Sequence, residues 1–227
     1  MEEKKGLWIC IEGADYTGKR TQCSLLFDKL TSLSEDNIIV YTHEPTARAK
    51  EIKRKLKEEK GEAYKDGLKM AELYIEDRVW NEKNVINPIL NAGGIAISNR
   101  YKYSTDAYQS LQEIDLETLI NAQKKFKIGT PHVTLFLDIN EKELVERMKK
   151  TDKEPDKFES DLLFQRKVAE KYRAISRISS TDKEYFGDVK LVDANDKPEE
   201  VFEKIWQAIG NLYEKWDKYN DLFEYII

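Results

Sequence analysis

Short apolar runs alternate with longer amphipathic segments along most of this sequence. Five of the runs have the length of a strand: 7–13 (LWICIEG), 37–45 (NIIVYTHEP), 94–100 (GIAISNR), 133–139 (VTLFLDI) and 189–193 (VKLVD). A strand that is covered on both faces is apolar along most of its length, which is typical of parallel sheets. The pattern therefore predicts five buried, parallel strands.

The segments between these runs have the period of helices, most clearly at 17–30, 68–90 and 161–176. Leu25, Leu26 and Leu30 recur at the spacing of one helical face. Alternation of strand and helix favours βαβ units with right-handed crossovers. We therefore predict an α/β fold of three layers, helix–sheet–helix, in which ligands bind beyond the carboxyl ends of the strands.

Composition and charge narrow the class of protein. The chain has 227 residues, of which 40% are hydrophobic and 36% are charged, as in a globular protein. No repeat or Pro/Gly-rich linker divides it, so we predict a single domain over 1–227. The apolar runs are too short to cross a bilayer, and the start, MEEKKG, lacks the regions of a signal peptide, so we expect a cytoplasmic protein without membrane contact. A net charge of −5 argues against nucleic-acid binding.

The cysteines and histidines form no reactive or metal-binding pattern. Cys10 falls in an apolar run and Cys23 in a helical segment, so we predict buried thiols rather than a disulfide. His43 and His132 are far apart and lack metal-ligand spacing. This argues against a zinc site and against a nucleophile activated by histidine.

The stretch IEGADYTGKRTQ (11–22) contains a phosphate-binding motif. Gly13, Gly18 and Lys19 fit the GxxxxGK pattern, in which backbone N–H groups, a helix N-terminus and the lysine face phosphate oxygens. Arg20 stands where a hydroxyl residue usually binds magnesium. The predicted loop comprises Gly13, Ala14, Asp15, Tyr16, Thr17, Gly18, Lys19, Arg20 and Thr21.

This stretch resembles the EGxDxxGKxTQ opening of the thymidylate kinase family. Four further segments resemble motifs of that family in the same order: ELYIEDRVW (72–80), NRYKYSTDAYQ (99–109), KFES (157–160) and VDAND (192–196). The resemblance covers nearly the whole chain. It implies a P-loop kinase that transfers the γ-phosphoryl group of ATP to dTMP, giving ADP and dTDP, with Mg²⁺ as cofactor and a homodimer as the common assembly.

The resemblance implies roles for four residues around the acceptor nucleotide. Asp15 would lie between the phosphates and the 3′-hydroxyl, although an Asp near a helix start also serves as a cap. Tyr74 would stack on thymine and Arg78 would donate to a base carbonyl or phosphate. Without the resemblance, these two residues, four apart on one helix face, would be an aromatic–Arg pair on the surface, or a core residue with a charge at its rim. Arg100, directly after a strand, would clamp the acceptor's phosphate.

Four more acceptor contacts follow from the resemblance. Thr105, Tyr108 and Gln109 would face the base and sugar, and Glu159 matches an acid near the acceptor sugar. Tyr108 beside the C2′ atom would exclude a 2′-hydroxyl and so select deoxynucleotides. The alternative for Gln109 is an ordinary exposed position on a helix.

The segment 147–160 corresponds to the mobile lid that closes over the ATP phosphates in this family. Arg147 and Lys153 are its predicted ATP contacts, whereas a charged run is otherwise a solvated face. Phosphoryl transfer needs alignment and charge neutralisation more than covalent help. The predicted catalytic residues are accordingly Lys19, Arg100, Asp15 and Arg20.

Three positions depart from the family's pattern. Arg20 replaces a hydroxyl residue, Asn99 replaces an Asp, and Lys157 replaces an Arg of the lid. The guanidinium of Arg20 is suited to two-point contact with phosphate oxygens. Magnesium would then be held by nucleotide phosphates and water, with Asp15 or Glu12 as candidate protein ligands.

These departures leave two alternatives open. One is a related kinase with another acceptor, such as dUMP or a deoxynucleoside, for which Thr105 and His43 leave room. The other is a nucleotide-binding paralogue with weakened catalysis.

The C-terminal segment NLYEKWDKYNDLFEYII (211–227) extends past the last predicted helix and carries several aromatic residues. It is expected either to form a partner or dimer surface or to pack on the domain.

Overall fold

A five-stranded parallel sheet forms the centre of the protein. The computed structural model describes residues 6–33, 38–58, 67–150 and 161–224. The strands are β1 (Leu7–Gly13), β2 (Ile39–His43), β3 (Ile95–Asn99), β4 (Val133–Asp138) and β5 (Val189–Asp193), in the order β2-β3-β1-β4-β5. All four pairings are parallel. The predicted α/β fold with five parallel strands is confirmed. The three central strands are buried, as predicted, whereas β2 and β5 at the edges of the sheet are mostly half-buried or exposed.

The register of the central strand brings the loops of three strands together. Ile11 in β1 pairs with Asn99 in β3 and with Leu135 in β4. His43, at the end of β2, is also in register with Asn99. Because the strands are parallel and in register, their carboxyl ends meet at one edge of the sheet. The loops that follow β1, β2 and β3 share that edge.

Helices cover both faces of the sheet. In chain order they are α1 (Lys19–Leu33), α2 (Lys50–Glu58), α3 (Gly67–Asn81), α4 (Asn87–Asn91), α5 (Lys102–Gln109), α6 (Leu116–Lys125), α7 (Glu141–Lys150), α8 (Leu162–Ile178), α9 (Lys183–Phe186) and α10 (Pro198–Glu224). Leu26 of α1 and Ile205 of α10 join one core cluster with Ile9 of β1. On the other face, Tyr103 of α5 and Tyr172 of α8 pack together in a second cluster. The predicted three layers are therefore present.

The predicted helix 68–90 is interrupted. A π-helical turn, Glu82–Ile86, separates α3 from α4, and the N–H of Asn87 donates to the carbonyl of Glu82, five residues earlier. Pro88 stands in the first turn of α4 and has no N–H to donate. In an unbroken α-helix, Pro88 would leave the carbonyl four residues earlier without its usual donor. The π-helical turn just before the proline changes the hydrogen-bond register at this point.

The aromatic C-terminal segment is not separate from the last helix. α10 continues to Glu224, so the prediction that 211–227 lies past the final helix is wrong for its described part. Tyr213 and Trp216 are buried in the same core cluster as α1, which accounts for the extension of the helix. Both cysteines are buried free thiols, as predicted. Within the described residues, no helix is long and apolar enough to span a membrane.

Leu26 tests the packing of α1 on the sheet. Leu26→Ala is expected to lower the free energy of unfolding by about 2–5 kcal/mol, because the side chain is fully buried in the core cluster. Leu33→Ala is the matched control: Leu33 is 44% exposed at the end of α1, and the expected change is below about 0.5 kcal/mol. Urea denaturation measures both variants. Equal losses would contradict the packing described here.

Candidate active site

The loop between β1 and α1 curls at two glycines. Gly13 has φ 143° and Gly18 has φ 89°, a region of backbone space that side chains other than glycine rarely adopt. A Cβ atom at Gly13 would lie 2.6 Å from the carbonyl oxygen of Leu137, so β4 also excludes a side chain there. Thr17 closes the loop by donating its hydroxyl to the carbonyl of Ala14 at 2.9 Å. The predicted phosphate loop therefore has the backbone curl that its function requires.

Lys19 is buried within this loop and donates from Nζ to the carbonyl of Ala14 at 2.6 Å. Burial and the nearby Arg100 guanidinium together lower the pKa of Lys19 to about 7, against the opposing effect of Asp15. A buried cation without a carboxylate in direct contact is stabilised by an incoming anion. Lys19 is the first residue of α1, so the positive end of the helix dipole also attracts an anion at this point.

Asp15 links the loop to two helices. Its Oδ2 atom accepts hydrogen bonds from the Tyr108 hydroxyl and from Gln165 Nε2, both at 2.8 Å, and its Oδ1 atom forms an ion pair with Arg100. The Asp15 N–H also donates to Gln165 Oε1 at 2.9 Å. Burial would raise the pKa of Asp15, but Arg100 and Lys19 outweigh it and the pKa is lowered. Asp15 is thus an ionised residue at the centre of the site.

Arg100 lies directly after β3 with φ 68°, which costs a non-glycine residue about 1–3 kcal/mol. This backbone directs its guanidinium back toward the loop, where Nη1 donates to Ser104 Oγ at 3.1 Å and Nη2 to the Tyr108 hydroxyl at 3.2 Å. Arg100 and Asp15 therefore lie together at the carboxyl edge of the sheet.

A cavity of about 400 Å³ opens beside the phosphate loop. It is lined by Asp15, Tyr16, Gly18, Lys19, Arg20, Thr21, Tyr41, His43, Glu44, Asn99 and Arg100. Arg20 and Thr21 are exposed, and within the described residues Arg20 has no ion pair. Asn99 donates from Nδ2 to the Tyr41 hydroxyl at 3.0 Å. Two of the three positions that depart from the family's pattern, Arg20 and Asn99, thus line the same cavity.

Arg147 of α7 also contacts the phosphate loop. Its Nη1 atom donates to the carbonyl of Tyr16 at 3.2 Å, and its Nη2 atom donates to the carbonyl of Ala194 at 2.7 Å. Its Nε atom donates to Glu143 at 2.6 Å, so the guanidinium is fixed in place. Arg147 therefore joins the phosphate loop to the segment after β5, where the VDAND motif lies.

A second cavity of about 240 Å³ adjoins the first. It is lined by Asp15, Glu44, Pro45, Leu56, Tyr74, Arg78, Arg100, Ser104, Thr105, Tyr108 and Gln109. Gln109 is only 1% exposed, and neither of its side-chain amide atoms has a hydrogen-bond partner in the described structure. The alternative of an exposed Gln109 is therefore wrong. Its unpaired donor and acceptor lie where a ligand can satisfy them.

Arg78 is completely buried beside this cavity. Its Nε and Nη2 atoms donate to Glu44 Oε2 at 3.0 and 2.7 Å. Nη1 donates to Gln123 at 2.6 Å, and Nη2 also donates to the Thr105 hydroxyl at 3.1 Å. Burial raises the pKa of Glu44 to about 7 against the opposing effect of Arg78. The surface-pair alternative for Arg78 is excluded by this burial, while Tyr74 on the same helix is half-buried at the cavity wall.

Glu12 is fully buried under the site, and both of its carboxylate oxygens are occupied. Oε1 accepts from the backbone N–H groups of Tyr101 at 2.6 Å and Ser104 at 3.0 Å. Oε2 accepts from the hydroxyls of Ser104 at 2.7 Å and Tyr172 at 2.8 Å. Four protein donors fill the acceptor positions of this carboxylate, so the geometry favours an anchoring role for Glu12 over contact with magnesium.

The remaining lid predictions lie outside the described residues. These predictions concern Lys153, Lys157 and Glu159, which fall in 151–160. Among the described residues, the structure brings together the phosphate loop, the residues of the smaller cavity and Arg147.

Glu44 and Gln165 are site residues that the sequence did not reveal. Glu44 follows β2 at the carboxyl edge of the sheet, and that position was a signal that could have identified it. Gln165 contacts Asp15 from 150 positions away, and no local pattern marks it.

The fold and the loop together define a class of protein. A parallel sheet whose first strand runs through a Gly–Lys loop into a helix is a P-loop nucleotide-binding protein. The chain belongs to the thymidylate kinase family, since the family model described as thymidylate kinase matches residues 11–205. It is thus a nucleoside-monophosphate kinase.

Named relatives agree with this family. A probable thymidylate kinase of Thermococcus kodakarensis is 32% identical over 213 residues, covering 91% of this chain and 98% of the relative. The thymidylate kinase of Ureaplasma parvum is 28% identical over 219 residues, with 93% of each chain covered. The crystal structure of thymidylate kinase from Ehrlichia chaffeensis has a TM-score of 0.69 at 21% identity, covering 90% of this chain and 99% of that one. That structure shares the fold.

The buried Arg78–Glu44 pair yields a stability prediction. Arg78→Met is expected to cost about 3–5 kcal/mol of unfolding free energy, because it leaves the Glu44 carboxylate buried without its partner. Adding Glu44→Gln is expected to recover part of that loss, with a coupling of about 0.5–3 kcal/mol. Urea denaturation of both single variants and the double variant completes the cycle.

Lys69→Met is the control for this cycle. The Lys69–Glu72 pair has side chains that are 52% and 56% exposed, and its loss is expected to change stability by less than about 1 kcal/mol. Strictly additive effects at Arg78 and Glu44 would contradict the coupling.

Proposed function

We propose that this protein is a thymidylate kinase that converts ATP and dTMP to ADP and dTDP. One observation carries the proposal: the phosphate-loop cavity and the smaller cavity share Asp15, Glu44 and Arg100 in their walls. A nucleoside triphosphate on the loop and a nucleoside monophosphate in the smaller cavity would therefore meet at Arg100. Phosphoryl transfer requires that the donor and acceptor phosphates meet in this way.

The reaction follows from this arrangement. An oxygen of the dTMP phosphate forms a bond to the γ-phosphorus of ATP, and the bond from that phosphorus to the β–γ bridging oxygen breaks, leaving its electron pair on ADP. Lys19 and the loop amides hold the β- and γ-phosphates, and Arg100 holds the acceptor phosphate. Arg20 covers charge that develops on the phosphoryl group. Asp15 keeps Arg100 oriented and lies beside the acceptor's sugar.

The smaller cavity suits a thymine base. Tyr74 stacks on the ring, while Arg78 and Gln109 form hydrogen bonds with the polar atoms at the edge of the base. A pyrimidine dione presents two carbonyl acceptors around one N–H donor. The unpaired amide of Gln109 offers one donor and one acceptor to this edge. Thr105 holds Arg78 in position through its hydroxyl.

Magnesium is the expected cofactor, and the donor set fits an ion held mainly by the nucleotide. Within the described residues, no group of three or more His, Cys, Asp or Glu side chains is arranged to bind a metal. Asp15 is an acid within the loop, and Asn99 lines the same cavity. When bound, Mg²⁺ neutralises charge on the phosphates and keeps several waters.

The remaining assignments belong to the same proposal. Arg147, Lys153 and Lys157 cover the ATP phosphates as parts of a lid at 147–160, and Glu159 lies near the acceptor sugar. The protein is one kinase domain over 1–227, it acts in the cytoplasm as a homodimer, and it binds neither nucleic acid nor membranes.

A nucleotide panel with Lys19→Ala tests the function. The wild-type protein with ATP and Mg²⁺ is expected to phosphorylate dTMP faster than dUMP, other monophosphates or thymidine. Lys19→Ala is expected to lower kcat by about 10²–10³-fold, because a positive group aimed at the transferring phosphate is lost. A coupled assay of ADP formation measures both. Preference for another acceptor would overturn the dTMP assignment, and no turnover with any acceptor would support a weakened paralogue.

Tyr108 tests the selection of deoxynucleotides. Tyr108→Ala is expected to reduce the preference for dUMP over UMP, which differ at the 2′-position, because the buried ring would no longer block a hydroxyl. Tyr108→Phe keeps the ring and loses only the hydroxyl that donates to Asp15, so it is expected to retain the preference. The measurement is the ratio of kcat/KM for the two acceptors. An unchanged ratio in Tyr108→Ala would refute the steric role.

A further inference from the structure

Tyr41 and Asn99 form a neutral pair inside the phosphate-loop cavity. Tyr41 lies on β2 and Asn99 is the last residue of β3, and both side chains are half-buried in the cavity wall. Asn99 Nδ2 donates to the Tyr41 hydroxyl oxygen at 3.0 Å. The tyrosine is the acceptor in this bond, so its own hydrogen is directed elsewhere. Within the described residues no group accepts that hydrogen.

The charges around the pair favour an anion. Lys19, Arg20 and Arg100 line the same cavity. Of its two carboxylates, Asp15 is paired with Arg100. Glu44 is paired with the buried Arg78 through Oε2, while its Oε1 atom has no hydrogen-bond partner in the described structure. Within the described residues Arg20 has no ion pair and the Tyr41 hydrogen has no acceptor, so these two donors are available to an anionic ligand that enters the cavity. Burial raises the pKa of Tyr41, with Asn99 opposing, so the phenol keeps its hydrogen at neutral pH.

We propose that the Tyr41 hydroxyl donates a hydrogen bond to the phosphoryl group in transit, and that Asn99 orients it for this purpose. The proposal rests on the kinase function proposed above. It adds a residue of β2, outside the phosphate-loop motif, to those that bind the phosphoryl group. Tyr41 forms no covalent bond and transfers no proton. Asn99 suits this arrangement because a carboxylate in its place would accept the tyrosine hydrogen and turn it away from the phosphate.

A double-mutant cycle at the two positions tests the inference. Tyr41→Phe is expected to lower kcat by about 10-fold or more, the range for a hydrogen bond to a charged group, with KM for ATP and dTMP changed by less than about twofold. In an Asn99→Asp background, the same Tyr41→Phe change is expected to lower kcat by less than about threefold, because the hydroxyl there already faces the carboxylate. Tyr213→Phe, on α10 and outside both cavities, is the matched control and is expected to leave kcat unchanged.

Each outcome decides the proposal. A loss below about twofold in Tyr41→Phe would show that the hydroxyl does not donate to the phosphoryl group. Equal losses in the wild-type and Asn99→Asp backgrounds would show that Asn99 does not orient the hydroxyl. Either result overturns the inference.

A binding measurement separates this proposal from the proposed function. Calorimetry with ADP alone and with ADP plus aluminium fluoride, a planar mimic of the phosphoryl group, needs no acceptor turnover. Tyr41→Phe is expected to weaken the fluoride complex by about 10-fold and to leave ADP binding unchanged. If the wild type fails to phosphorylate dTMP but this difference is observed, the function falls and the Tyr41 inference stands. Equal affinity of the wild type and Tyr41→Phe for the fluoride complex would refute the inference.

Discussion

The ion pair between Asp15 and Arg100 is the contact on which the rest of the site depends. It joins the loop after β1 to the residue after β3, two segments that parallel pairing brings to one edge of the sheet. Arg100 reaches this position only by adopting a left-handed backbone. That strain persists because Asp15 is itself fixed by Tyr108 and Gln165. The pair thus holds loop, sheet edge and helix α8 in one arrangement.

A second layer of buried polar contacts supports this pair from below. Glu12 accepts four hydrogen bonds and fixes the start of α5, the helix that carries Thr105, Tyr108 and Gln109. Arg78 is fixed by Glu44 and Gln123 in the same way. Buried polar groups are costly unless they are fully paired. The paired groups therefore form a rigid base, while the amide of Gln109 and the Oε1 atom of Glu44 stay unpaired in the described structure, at the wall of the smaller cavity.

Sequence reasoning predicted the local features well and the long-range contacts poorly. The three central strands were predictable because burial on both faces makes each of them apolar along its own length. The edge strands β2 and β5 are less buried and were predictable as short apolar runs between helical segments. The phosphate loop was also predictable, because its motif lies within one short stretch of the sequence. The break before Pro88 was not predicted, because helical periodicity continues across a π-helical turn. The contact of Gln165 with Asp15 and the burial of Arg78 depend on segments far apart in the chain, which spacing alone does not reveal.

The buried lysine of the phosphate loop gives ligand binding a dependence on protons. The pKa of Lys19 is lowered to about 7 by burial and by Arg100, so above that pH much of the population carries a neutral amine. A bound polyphosphate favours the ammonium form and raises the pKa again. Binding above the lowered pKa therefore draws a proton from solution, and the affinity for polyphosphate declines as the medium becomes more alkaline. The protonation of Lys19 and the binding of a polyphosphate at this loop are therefore coupled.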